Sequence, residues 1–127
     1  MILADTSIWI DHLRRSETLL EQLLQSRRIL LHPFVIGELA MGNLPNRDLT
    51  LRDLRKLPQA AAASHTELLL FINQNRLFGL GMGYVDAHLL AAVRLTPGAT
   101  LWTRDKSLHA AAEKLGLAAS PPGFGLH

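Results

Sequence analysis

The chain contains no cysteine, so disulfides and thiolate metal sites are excluded, and a reducing, cytoplasmic setting fits. It has no apolar run near the ~18 residues that a spanning helix needs, so no membrane segment is expected. The first residues, MILAD, carry no basic stretch ahead of an apolar one, and no secretory leader is expected. Lysine is scarce: ten of the thirteen basic residues are Arg. Low-complexity sequence is also missing beyond the alanines at 60–63, and there is no internal repeat. What remains is a 127-residue chain, 48% hydrophobic and 19% charged, which predicts a single domain over residues 1–127 with a loose tail from about residue 120.

Charge is present, but its placement is uneven. Asp5 is the only charged residue in MILADTSIWI; Glu38 is the only one between Arg28 and Arg47, and Asp86 the only one between Arg76 and Arg94. An ionised carboxylate in apolar surroundings is costly unless something cationic compensates it. Asp105, a fourth acid, follows the apolar run Leu101-Trp102-Thr103. The net charge is only +2, so if these acids share one pocket, the remaining surface is more basic than the total. Arginine forks suit phosphate oxygens, which makes a polyanionic partner reasonable beside the plainer reading of a solvated surface.

Periodicity predicts short buried strands alternating with helices. Ile2–Ala4 reads as a strand, followed by a helix to Arg14 capped by Thr6 or Ser7. A second strand is expected over 28–32, then a helix from Pro33 to Met41 stopped by Gly42. Ser64 followed by Glu67 predicts a capping box, with Leu68, Leu69 and Ile72 inside. Helices over 84–95 and 104–115 flank a strand at 99–103. The fold class is therefore α/β, a small parallel sheet flanked by helices.

In open parallel sheets, ligands gather beyond the carboxyl ends of the strands, where Asp5 and Asp105 are expected. Glu38 and Asp86 are expected on the inward faces of their helices, from the spacing to Val35 and Leu89. Converging carboxylates raise one another's pKa, and a divalent cation reverses this. All-oxygen ligation points to Mg²⁺ or Mn²⁺, the ions that assist phosphodiester hydrolysis.

Taken together, the D-T-S after the first strand, Glu38 in F-V-I-G-E-L, Asp86 in V-D-A-H-L-L-A-A and the L-W-T-R-D ending at Asp105 resemble the PIN-domain ribonucleases. The resemblance is greatest to the VapC-type toxins of bacterial type II toxin–antitoxin pairs. It implies a PIN-like, Rossmann-like fold and an endoribonuclease that uses Mg²⁺, with Mn²⁺ as substitute, held by Asp5, Glu38, Asp86 and Asp105. Thr103 matches the family's supporting hydroxyl, and Thr6 is expected to steady a carboxylate or the ion's surroundings. Cleavage of a structured tRNA or rRNA site to 5′-phosphate and 3′-hydroxyl ends is implied. So are a homodimer, a cognate antitoxin whose tail blocks the active-site groove, and promoter DNA bound only through that antitoxin.

Several residues keep two readings. His88 either approaches the site or packs, Arg104 either grips a phosphate or is solvated, and Glu113 either extends the acidic face or pairs with a neighbour. Gly79, Gly81 and Gly83 form a turn rather than a dinucleotide fingerprint, because no strand precedes them. Trp9 and Trp102 are expected in the core, since base stacking would need an exposed ring. Rival classes fit poorly: a haloacid-dehalogenase phosphatase needs a second acid where Ser7 stands, and a signalling receiver needs acids paired beside Asp5. The remaining alternative is a catalytically inactive PIN-like module that binds RNA or protein.

Overall fold

The computed structural model describes residues 1–120, so the expected tail lies almost wholly outside the described residues. Along the chain run β1 (Ile2–Ala4), α1 (Thr6–Arg14), α2 (Thr18–Gln25), β2 (Ile29–Leu30), α3 (Pro33–Ala40), α4 (Arg47–Lys56), α5 (His65–Gln74), α6 (Tyr84–Leu95), β3 (Thr100–Trp102) and α7 (Lys106–Lys114). The strands form one sheet in the order β2-β1-β3, every pairing parallel. Ile2 lies opposite Ile29 and Thr100, and Leu3 opposite Leu30 and Leu101.

The central strand is uniformly apolar because helices cover both faces of a parallel sheet. Ile2, Leu3 and Ala4 are buried, as are Ile29, Leu30, Leu101 and Trp102. Ile8 and Trp9 of α1, Leu20 of α2, Val35 and Leu39 of α3, Leu89 and Leu90 of α6 and Leu108 of α7 complete one core. Each such side chain contributes about 1.5–3 kcal/mol of burial. The second strand is shorter than expected: Leu31 turns away from β1, and its backbone exchanges hydrogen bonds with Pro58 and Ala60. At the other edge, Leu101 does the same with Leu117 and Ala119.

Two helix starts also differ from expectation. Asp5, not Thr6 or Ser7, caps α1, and Asp105 caps α7, which begins at Lys106 rather than Arg104. Aspartate is as good a cap as serine, so the acid nearest the strand end takes the position. The Ser64–Glu67 capping box of α5 forms as expected, but Leu69 lies on the exposed side and only Leu68 is fully buried.

This topology places one edge of the sheet apart from the rest. Each strand leaves the sheet at its carboxyl end and runs into a helix that starts there: α1 after β1, α3 after β2 and α7 after β3. The tight turn at 96–99, which uses Gly98 at φ +73°, reverses the chain between α6 and β3. α6 packs on β3 and so begins at that same edge. Four helix N-termini, each the positive end of a peptide dipole, therefore converge there.

Candidate active site

Asp5 is the fixed point of the carboxyl edge. Its backbone N–H still belongs to the sheet, donating to the Trp102 carbonyl at 3.0 Å. Its side chain is nearly buried, 6% exposed. Oδ1 accepts from the Ser7 N–H at 3.0 Å, the Ser7 hydroxyl at 2.5 Å and the Ile8 N–H at 3.4 Å. Oδ2 accepts from the hydroxyl of Thr103, which is itself buried. The same Thr103 Oγ1 accepts from the Asp105 N–H at 3.0 Å, so one hydroxyl ties the end of β1 to the start of α7.

The other acids are held from one side each. Asp105 Oδ1 accepts from the Leu108 N–H at 2.9 Å. Asp86 Oδ2 accepts from the Gly83 N–H at 3.2 Å. Glu38 Oε1 accepts from the Thr6 hydroxyl at 2.5 Å, joining α3 to α1 as the expected supporting role of Thr6 requires. Asp86 is half-buried, while Glu38 and Asp105 are exposed. The inward placement expected of Glu38 is thus corrected: Val35 and Leu39 take the buried side of α3, and Glu38, a step round the helix, faces the rim of the cleft.

Burial pushes the Asp86 carboxyl above the usual aspartate range, and the charges of Asp105, Asp5 and Glu38 push it in the same direction against the Gly83 hydrogen bond. No lysine, arginine or histidine among the described residues pairs with any of the four. Arg104 sits close in sequence but is engaged elsewhere. It pairs with Asp11, pairs with Glu17 at 2.9 Å, and lies over the Trp102 ring. Among the described residues, the four acids therefore have no paired cation.

No three acids or histidines among the described residues stand close enough to chelate one ion directly. The donor set, all oxygen and uncompensated, fits a hydrated hard cation.

The remaining residues resolve as follows. His88 is packing: buried, with Phe34 and Tyr84 edge-on to its ring at 4.6 Å each and His32 6.2 Å away. Burial, and then the charge of His65, lowers its pKa. Glu113 pairs with His109 at 3.4 Å rather than extending the acidic face. Both tryptophans are core. Gly79 and Gly81 hold left-handed turns, and Gly83 serves the site through its N–H to Asp86.

Two supporting residues escaped the sequence reading. Ser7 adds its hydroxyl to Asp5, and its place two residues after a capping acid was the available signal. His32 caps α3 by accepting the Phe34 N–H at Nδ1, 3.0 Å, which nothing local announced. Beside Glu38 opens a groove of about 400 Å³ lined by Ile10, Leu13, Arg14, Leu39, Leu44 and Pro45, among others.

No family model matches the chain. Among curated proteins it is similar to Ribonuclease VapC32 of Mycobacterium tuberculosis, 48% identical over 118 residues, which span 93% of this chain and 95% of that protein. The protein of that name from a second strain of the organism matches to the same extent. With the acid cluster at the carboxyl edge of a PIN-like sheet and identity of that order over nearly the whole length, the chain belongs to the VapC family of PIN-domain ribonuclease toxins.

Proposed function

We propose that this protein is the endoribonuclease toxin of a toxin–antitoxin pair, hydrolysing RNA phosphodiesters at Asp5, Glu38, Asp86 and Asp105 with Mg²⁺, or Mn²⁺ in its place. The observation that carries the reading is the placement: Asp5 ends β1, Asp105 and Asp86 lie at the starts of α7 and α6, and Thr6 ties Glu38 to α1, while no cation of the described residues pairs with any of them. When bound, the ion supplies positive charge for the phosphate oxygens and a water acidic enough to act as nucleophile near neutral pH.

The chain's own residues do the positioning. Asp5, saturated on Oδ1 and held on Oδ2 by Thr103, is the rigid member. Glu38 is aimed by Thr6. Asp86, whose carboxyl is pushed above the usual aspartate range first by burial, would be held ionised by a bound cation. The helix N-termini around the acids favour a phosphate anion once the carboxylate charge is balanced. In-line attack leaves 5′-phosphate and 3′-hydroxyl ends.

The antitoxin belongs in the groove beside Glu38, where apolar walls and Arg14 suit an amphipathic tail carrying an acidic residue. A homodimer, promoter contact through the antitoxin and action in the cytoplasm complete the reading, with residues 1–127 working as one domain. No helix of the described residues is long and apolar enough to cross a membrane. The inactive-module alternative is not favoured, because the four acids are all present and their supports intact.

The test is 5′-end mapping of total RNA incubated with the purified protein and Mn²⁺. New 5′-phosphate ends that vanish with chelator and in Asp86→Asn are expected. RNA bound but uncut under every metal condition would overturn the reading in favour of the binding module.

A further inference from the structure

Among the described aromatic residues, Phe78 is 63% exposed on the loop after α5 and Phe71 is half-buried. Both tryptophans are buried, while Phe34 and Tyr84 are 38% and 48% exposed. These two do not lie at random on the surface. Tyr84 opens α6, in the same first turn as Asp86, and Phe34 opens α3, one helical turn before Glu38 and on the same face. Each begins a helix whose N-terminus faces the carboxyl edge. Phe34 thus shares a helix face with Glu38, while Tyr84 shares one with His88, four residues on, and meets Phe34 across that ring.

Their orientation is fixed from below. Both rest against the buried His88 ring, centroids 4.6 Å away and interplanar angles of 71° and 80°. The Tyr84 hydroxyl is hydrogen-bonded to His65 Nδ1 at 2.8 Å. His32 contacts Phe34 from the opposite side, centroids 5.2 Å apart. Two exposed rings locked by packing lose little conformational freedom on contact with a flat ligand, which makes a stacking surface effective.

We propose that Phe34 and Tyr84 form a nucleobase subsite, on which an unpaired base flanking the scissile phosphodiester stacks while the phosphate sits at the acids. The proposal rests on the ribonuclease reading and adds where the substrate's bases are gripped. Stacking on aromatic faces is sequence-tolerant, so this subsite selects for single-stranded, splayed RNA rather than for one base. A paired stem cannot offer a base face to it.

The test is fluorescence anisotropy in chelator with a labelled single-stranded oligoadenylate and an abasic ribose-phosphate strand of the same length. Wild-type protein should bind oligoadenylate about 5- to 100-fold more tightly than the abasic strand. Tyr84→Ala and the Phe34→Ala/Tyr84→Ala pair should lose that preference while holding the abasic strand as before, and Tyr84→Trp should keep it. Thermal melts of each variant separate lost stacking from lost folding, and Tyr84→Phe, which keeps the ring, is the second guard. A preference equal in wild type and double variant overturns the proposal. So does a double variant that binds both strands normally but no longer self-associates or takes up its antitoxin, since the rings would then seat protein. Because the probe needs no cleavage, failure of metal-dependent cutting in wild type would instead strike the ribonuclease reading.

Discussion

Replacing Thr103 by valine removes one oxygen atom from the centre of the site and almost nothing else. The hydroxyl is buried, donates to Asp5 Oδ2 and accepts from the Asp105 N–H. Hydrogen bonds to charged groups contribute about 1.5–3 kcal/mol, and the buried carboxylate oxygen loses its only donor among the described residues. The Asp105 N–H is less costly to orphan, because Asp105 is exposed and water reaches it. Thr103→Val should therefore cost about 2–3 kcal/mol, within the ~5–15 kcal/mol that a domain of this size possesses. It should remain folded but melt about 8–12 °C lower. Thr103→Ser, which keeps the hydroxyl and gives up a methyl group, should lose no more than about 1 kcal/mol. Urea unfolding of the three metal-free proteins measures this directly. A valine variant within about 0.5 kcal/mol of wild type, or a serine variant as unstable as valine, would refute the bridging role.

Three further outcomes are expected. Asp86→Asn should abolish metal-dependent cleavage yet stabilise the metal-free protein at neutral pH: its raised folded pKa means ionisation opposes folding there, a penalty relieved as pH falls through that pKa. Denaturation of the variant at pH 7 checks it, and equal or lower stability would contradict the raised pKa. Thr6→Val should weaken Mn²⁺ binding by about 10-fold or more in calorimetry, with Thr6→Ser restoring it, since an exposed Glu38 loses the hydroxyl that aims it. Acidification should destabilise the fold between pH 6.5 and about 4 through His32, whose pKa burial and then His88 lower to about 4. The unfolded chain takes the proton first, so this stability is complete above pH 6.5 and lost as pH falls; about 2 kcal/mol is expected after allowing for screening. His32→Asn, which can still cap α3, should flatten that part of the pH profile.

The acid-bearing motifs and the α/β alternation were legible because they depend on local spacing. β1 is where Ile2–Ala4 predicted it, and Ser64 and Glu67 form their box, because both features are satisfied within a few residues. Glu38 was placed on the wrong side because helical spacing says which residues share a face, not which face the core takes; Val35 and Leu39 decided that. The cap of α1 was expected at Thr6 or Ser7, but Asp5, the residue directly after β1, is as good a cap and takes the position. The His32–Phe34–His88–Tyr84 cluster was invisible because it unites two helices about fifty residues apart.

The single bridges at Leu31 and Leu101 have a consequence for how this protein meets its neighbours. Short parallel sheets normally leave outer strands that can recruit another chain. Here the outward N–H and C=O of Leu31 are taken by Pro58 and Ala60, and those of Leu101 by Leu117 and Ala119. At those positions a second copy cannot lengthen the sheet. Several of the apolar side chains left outside the core lie on helices instead, among them Leu69 and Leu70 of α5 and Leu95 of α6.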